Sequence, residues 1–162
     1  MSLIEMYTDG GSRRNGQPDA IGAWAWVMLY NNKKVRENFK SESLLVTNNQ
    51  NELYAVIDGL KNINPKFPKN KPFTIRICVD SMYVLKGATE WAPQWQKNGW
   101  KKKKGPISNV ELWKELMKEM TRLRAYSPQL QLEFFKVKGH SGDEWNEYVD
   151  ALVNGAMDLR IR

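Results

Sequence analysis

The sequence predicts an α/β fold in which an antiparallel meander of three strands opens a mixed sheet and later strands alternate with helices. Two β-rich runs separated by Asn31-Asn32 follow a strand-like N-terminus, which makes the meander. Phe73–Val79 is a near-continuous apolar run, the mark of a strand buried on both faces; such strands are usually parallel and covered by helices. Between and after these runs lie apolar residues at helical spacing, introduced by capping signals.

In chain order, Ile4, Met6 and Thr8 alternate with Glu5 and Tyr7, so the first strand ends near Asp9. Gly10 and Gly11 are expected to take positive φ and turn the chain away. Ala20 to Tyr30 and Lys33 to Lys40 form the hairpin. Thr47-Asn48-Asn49-Gln50 has the form of a capping box and opens a helix through Leu60, which Asn62 to Pro68 stops. The fourth strand ends in Asp80. Ser81 to Lys86 begins a short helix, and a basic, Trp-rich segment follows. Ser108-Asn109-Val110-Glu111 reads as a second capping box, before a helix carrying Leu112, Leu116, Met117, Met120 and Leu123. Leu130 to Val137 is the last strand, Gly139 to Gly142 a loop, and Glu144 to about Leu159 the final helix. The order is βββαβααβα. Residues 1–162 read as a single domain, and 64–72 as a long loop rather than a boundary.

The composition, 41% hydrophobic and 27% charged, suits a soluble globular protein. No apolar run is long enough to span a bilayer, no signal peptide is expected from the N-terminal pattern, and the single cysteine, Cys78, reads as a buried strand residue that fits a reducing cytoplasm. The net charge is +7, and it is uneven: residues 86–104 hold six lysines against Glu90 alone. Trp91, Trp95 and Trp100 fall in the same stretch. A cationic patch of this kind attracts polyanions.

Four acids stand where the local pattern wants an apolar group. Asp9 and Asp80 end apolar strands, Glu52 shares a helical face with Ala55 and Val56, and Asp150 lies on the stripe of Val153 and Met157. An unpaired buried carboxylate costs several kcal/mol and would rather protonate. No lysine or arginine lies within a turn of Glu52 on its apolar face. A hard divalent cation resolves the conflict, because Mg²⁺ or Mn²⁺ takes oxygen ligands and shares its shell with water and phosphate. Two such ions activate a water and stabilise the leaving oxygen of an in-line phosphoryl displacement.

Four motifs then stand in order: Tyr7-Thr8-Asp9-Gly10; Thr47-Asn48-Asn49-Gln50-Asn51-Glu52-Leu53; Val79-Asp80-Ser81-Met82-Tyr83-Val84; and Val137-Lys138-Gly139-His140-Ser141-Gly142 with Asn146 and Asp150 after it. In order, spacing and context the chain resembles a type 1 ribonuclease H over nearly its whole length. The resemblance implies an RNase H-like five-stranded sheet of order 3-2-1-4-5, with helices on both faces. It implies that Asp9, Glu52, Asp80 and Asp150 bind two Mg²⁺ ions, Mn²⁺ being a substitute. The implied reaction is endonucleolytic hydrolysis of the RNA strand of an RNA–DNA hybrid, leaving 3′-hydroxyl and 5′-phosphate ends.

By the same resemblance His140 assists proton transfer or product release, as a near-neutral imidazole in a Gly-flanked loop suits. Gly10, Gly11, Ser12, Asn15, Thr47, Asn48, Asn49, Gln50 and Asn146 are placed at the hybrid, with a DNA phosphate at the helix start and 2′-hydroxyls read in the minor groove. Residues 86–104 resemble the family's basic protrusion, where Trp91, Trp95 and Trp100 pack on deoxyribose while Lys97 and Lys101 meet phosphates. Arg13-Arg14, Met82 and Tyr148-Val149 depart from the family's pattern. No N-terminal hybrid-binding domain is expected before the core, and a monomer is expected. Two other readings are a DNA-cutting nuclease of the same fold and an RNase H domain from a reverse transcriptase; the intact acids argue against a silent binding module.

Overall fold

The fold is described from a computed structural model, which covers residues 2–14, 17–43, 47–64, 72–126, 128–137 and 143–161. Strands β1 (Ser2–Arg13), β2 (Ile21–Tyr30) and β3 (Lys33–Ser43) are followed by α1 (Asn48–Lys61) and β4 (Phe73–Val79). Then come α2 (Met82–Lys86), a π-helical turn (Gly87–Trp91), α3 (Ala92–Lys97), α4 (Val110–Tyr126), β5 (Leu130–Lys136) and α5 (Glu144–Ile161). The sheet order is β3-β2-β1-β4-β5, antiparallel from β1 to β3 and parallel from β1 through β4 to β5. Among the described residues no helix is long and apolar enough to cross a membrane.

The β2–β3 hairpin turns as expected: Asn31 and Asn32 have φ 48° and 73°, the pair of left-handed residues that matches strand twist. Thr47 caps α1 through its side-chain oxygen, and Gln50 reaches back to the Thr47 amide. The larger core lies between the sheet and α1 and α4, around Met6, Trp26, Leu53, Ile75, Trp113 and Leu116. Helix α5 covers the other face of β1 and β2, over Ala23, Ala25, Val27 and Leu29.

Three expectations change. First, β1 does not turn at the glycines. It stays paired with β2 through Gly10–Trp24 and Gly11–Ala23 as far as Arg13. The reason is packing: a Cβ at Gly10 would lie 2.5 Å from the backbone of Asn51 and Glu52, so glycine is what lets α1 press onto the strand. Second, the Trp-rich segment is helical as far as Lys97. Pro93 donates no N–H and would break a continuous α-helix; the π turn shifts the register so that it falls in the first turn of α3. Gly87 seats the ring of Trp113, which a Cβ would meet at 2.0 Å. Third, α4 starts one residue later than a Ser108 cap requires. Asn109 has φ 59°, outside the helical range, and its carbonyl accepts from the Trp113 amide.

Candidate active site

The parallel ladder between β1 and β4 ends at the pair Tyr7–Cys78. Asp9 and Asp80 each lie two residues beyond that pair, so strand register alone makes them neighbours. Glu52 arrives from α1, brought down by the close approach over Gly10. Carboxylate oxygens of Asp9, Glu52 and Asp80 lie within 4.8 Å of one another. Asp9 is 6% exposed and Glu52 8%.

Burial pushes the Asp9 carboxyl up to about 8, helped by the charges of Asp80 and Asp150 and partly offset by a hydrogen bond from Glu52 and the Gly10 amide. Burial also raises Glu52 well above the usual carboxylate range, with Asp9 and Asp80 adding to it. Glu52 Oε2 is buried with no hydrogen-bond partner among the described residues. A proton shared between Glu52 and Asp9 eases the repulsion; a divalent cation removes it and satisfies the orphaned oxygen as well. An all-carboxylate donor set with a buried unpaired oxygen fits a hard ion such as Mg²⁺ or Mn²⁺.

Asp150 is placed differently from the expected stripe. Val149, Val153, Ala156 and Met157 face the sheet, and Asp150 is exposed on the adjoining side of α5. It is not among the three converging carboxylates, yet its charge acts on Asp9. Asn146, one turn earlier, is buried. Asp143 begins α5 by accepting from the Trp145 and Asn146 amides. His140 and Asn15 lie outside the described residues.

Beside the acids, the start of α1 forms a wall. Asn48 Oδ1 accepts from Ser12 Oγ at 2.8 Å, and Asn49 is exposed. Gln50 donates to Asn109 Oδ1 at 3.1 Å, and Asn109 donates to the Tyr83 hydroxyl at 2.9 Å. Thr47, Asn48, Asn49, Tyr83, Ser108 and Asn109 line an open cavity of about 650 Å³. The sequence does not single out Tyr83, Ser108 and Asn109, because a polar residue before a helix signals a cap whether or not it also faces a groove. Nor does it single out Asn51, which is fully buried and donates to the carbonyls of Gly11 and Thr47, tying α1 to β1.

The model of the RNase H family matches residues 2–158. The chain belongs to the RNase H family. It is 38% identical over 159 residues to the ribonuclease H of Chromohalobacter salexigens, covering 98% of this chain and 86% of that one. It is 37% identical over 162 residues to that of Clostridium botulinum, covering 98% and 97%. Its fold matches the crystal structure of LC9-RNase H1 with a TM-score of 0.75 at 28% identity, over 98% of this chain and 73% of that one. LC11-RNase H1, solved in complex with an RNA/DNA hybrid, shares the fold with a TM-score of 0.65 at 23% identity, over 98% and 99%. The chain is therefore an RNase H enzyme.

Within this RNase H, the residues that depart from the family pattern have definite surroundings. The Tyr148 hydroxyl donates to Glu37 at 2.5 Å and accepts from Lys34, so it ties α5 to the β3 edge. Arg14 pairs with Asp19, and Arg13 reaches across to α5. Met82 is exposed. In the Trp-rich segment, Trp95 lies between Trp91 and Trp113, with ring centroids 6.2 and 6.3 Å away. Trp91 is 36% exposed; Trp95 and Trp100 pack partly on the core. Lys97 and Lys101 to Lys104 are exposed. The space beside Gly10 is filled by α1, and the Gly11 carbonyl is taken by Asn51.

Proposed function

We propose that this RNase H hydrolyses the RNA strand of RNA–DNA hybrids endonucleolytically, leaving 3′-hydroxyl and 5′-phosphate ends, and works as a single-domain monomer in the cytoplasm. The observation that carries the reading is the convergence of Asp9, Glu52 and Asp80, the first two buried, beside an open polar groove. The hybrid-bound LC11-RNase H1, with the same fold, supports the substrate. Asp9, Glu52 and Asp80, joined by Asp150, would hold two Mg²⁺ ions, with Mn²⁺ as a substitute. When bound, such a pair supplies an activated water and charge stabilisation at the leaving 3′-oxygen. Thr47 and the first amides of α1 receive a phosphate of the DNA strand, and Asn48 and Asn49 face the minor groove, where 2′-hydroxyls identify RNA. The lysines of the protrusion neutralise phosphates further along, and His140 passes a proton at product release.

The test is cleavage of labelled RNA–DNA hybrid, RNA duplex and DNA duplex, each with Mg²⁺ or with EDTA. Cutting of the hybrid's RNA alone, abolished by EDTA and by Asp9→Asn, is the expected result. Cutting of a DNA strand, or activity that survives EDTA, would overturn the reading.

A further inference from the structure

The fourth carboxylate has a support of its own. Arg13 ends β1, and its guanidinium forks: Nη1 donates to Asp158 Oδ1 at 2.5 Å and Nη2 to Asn154 Oδ1 at 3.2 Å. Accepting that bond commits the carbonyl end of the Asn154 amide to Arg13, so its N–H₂ must face the other way. There it donates to the Asp150 carbonyl at 3.0 Å and to Asp150 Oδ2 at 3.4 Å. Asp150, Asn154 and Asp158 recur every four residues along one face of α5, and Arg13 bridges the last two.

Stability is a poor account of this chain of contacts. The Arg13 and Asp158 side chains are 35% and 58% exposed, and ion pairs so exposed contribute little. Its consequence is orientation. Asp150 is exposed and would otherwise sample its rotamers, unlike the buried Asp9 and Glu52. We infer that Arg13 and Asn154 are positioning residues that aim the Asp150 carboxylate and thereby set the affinity of the metal ion it helps to hold. The inference rests on the proposed role of Asp150 as a ligand.

Calorimetric titration of the full chain with Mn²⁺ and with Mg²⁺, without nucleic acid, tests it in Arg13→Ala, Asn154→Ala and Arg13→Lys. Loss of such an outer partner typically weakens a metal site 10- to 100-fold, so Arg13→Ala and Asn154→Ala should weaken the looser of two sites about 10-fold. Arg13→Lys, which keeps the charge and loses the fork, should fall between them and wild type. Melting temperature in EDTA and the hybrid KM at saturating Mg²⁺ should stay at the wild-type values. On an Asp150→Asn background, Arg13→Ala should add no further loss. Wild-type metal affinity in Arg13→Ala, an additive loss on that background, or a raised hybrid KM at saturating Mg²⁺ would each overturn the inference. A wild-type chain that binds no metal would overturn the function proposed above along with it.

Discussion

The acid cluster and the lysine-rich segment around Lys97 to Lys104 sit at opposite extremes of what a folded chain does with charge. Asp9 and Glu52 are buried, crowded and held in place by backbone packing over Gly10. Lys97 and Lys101 to Lys104 are exposed, on and just beyond the end of α3. Buried carboxylates raise one another's pKa and need a partner of fixed geometry. Exposed charges act as a sum: each contributes a little, and salt screens them all. The difference teaches that one region should fail on the loss of a single atom, while the other should degrade gradually.

Substitution at the centre should show the largest effect. Asp9→Asn or Glu52→Gln removes charge stabilisation worth several kcal/mol, so hybrid cleavage should fall at least about 10³-fold in single-turnover assays. The same variants should melt higher than wild type in EDTA, because a buried anion has been neutralised. Activity within tenfold of wild type would break the comparison at its centre.

Gly10→Ala attacks the same region through packing. The added carbon meets backbone at 2.5 Å, so α1 must shift and carry Glu52 with it. Overpacking of this kind costs about 1–3 kcal/mol. The melting temperature should fall by several degrees, and activity should fall further than the stability loss explains.

A smaller effect follows from pH. The folded-state pKa of Asp9 is raised to about 8, and that of Glu52 is raised too, so the folded chain binds more protons than the unfolded one at neutral pH. Stability in EDTA should therefore be highest below about pH 4 as far as this cluster contributes, and should fall as pH rises to about 8. Thermal melts across that range should show the slope in wild type, a weaker one in Asp9→Asn, and a flattened one with Mg²⁺.

The smallest single effects belong to the lysine-rich segment. Any one of Lys101→Ala to Lys104→Ala should change the hybrid KM less than about threefold at 0.15 M salt. All four together should reduce the slope of log KM against log salt, by about 0.9 for each phosphate that is no longer neutralised. A single lysine that abolished binding would show that the region works by geometry after all.

Much of both regions is legible without coordinates. Asp9, Glu52 and Asp80 stand out because each is an acid in an apolar pattern, and the structure brings them together. Asn31-Asn32 and the Thr47–Gln50 box behave as their local chemistry requires. Asp150 is harder: helical periodicity has an uncertainty of one position, and the sheet-facing stripe runs through Val149 instead. Gly10 and Gly11 suggest a turn because glycine permits positive φ, whereas neither takes it here, and at Gly10 the missing Cβ is what is used. The Arg13–Asn154–Asp150 chain has no sequence signal, since its members come from the two ends of the protein.

By itself the sequence determined the five strands, the main helices, the hairpin turn, the α1 cap and the chemistry of the acids, because these depend on residues within a turn or two of one another. Only the tertiary structure decided which acids converge, how α1 seats on β1, and what orients Asp150. Those distances are set by the register of β1 against β4 and by the closest approach that a missing side chain allows, and neither quantity is a property of any local segment.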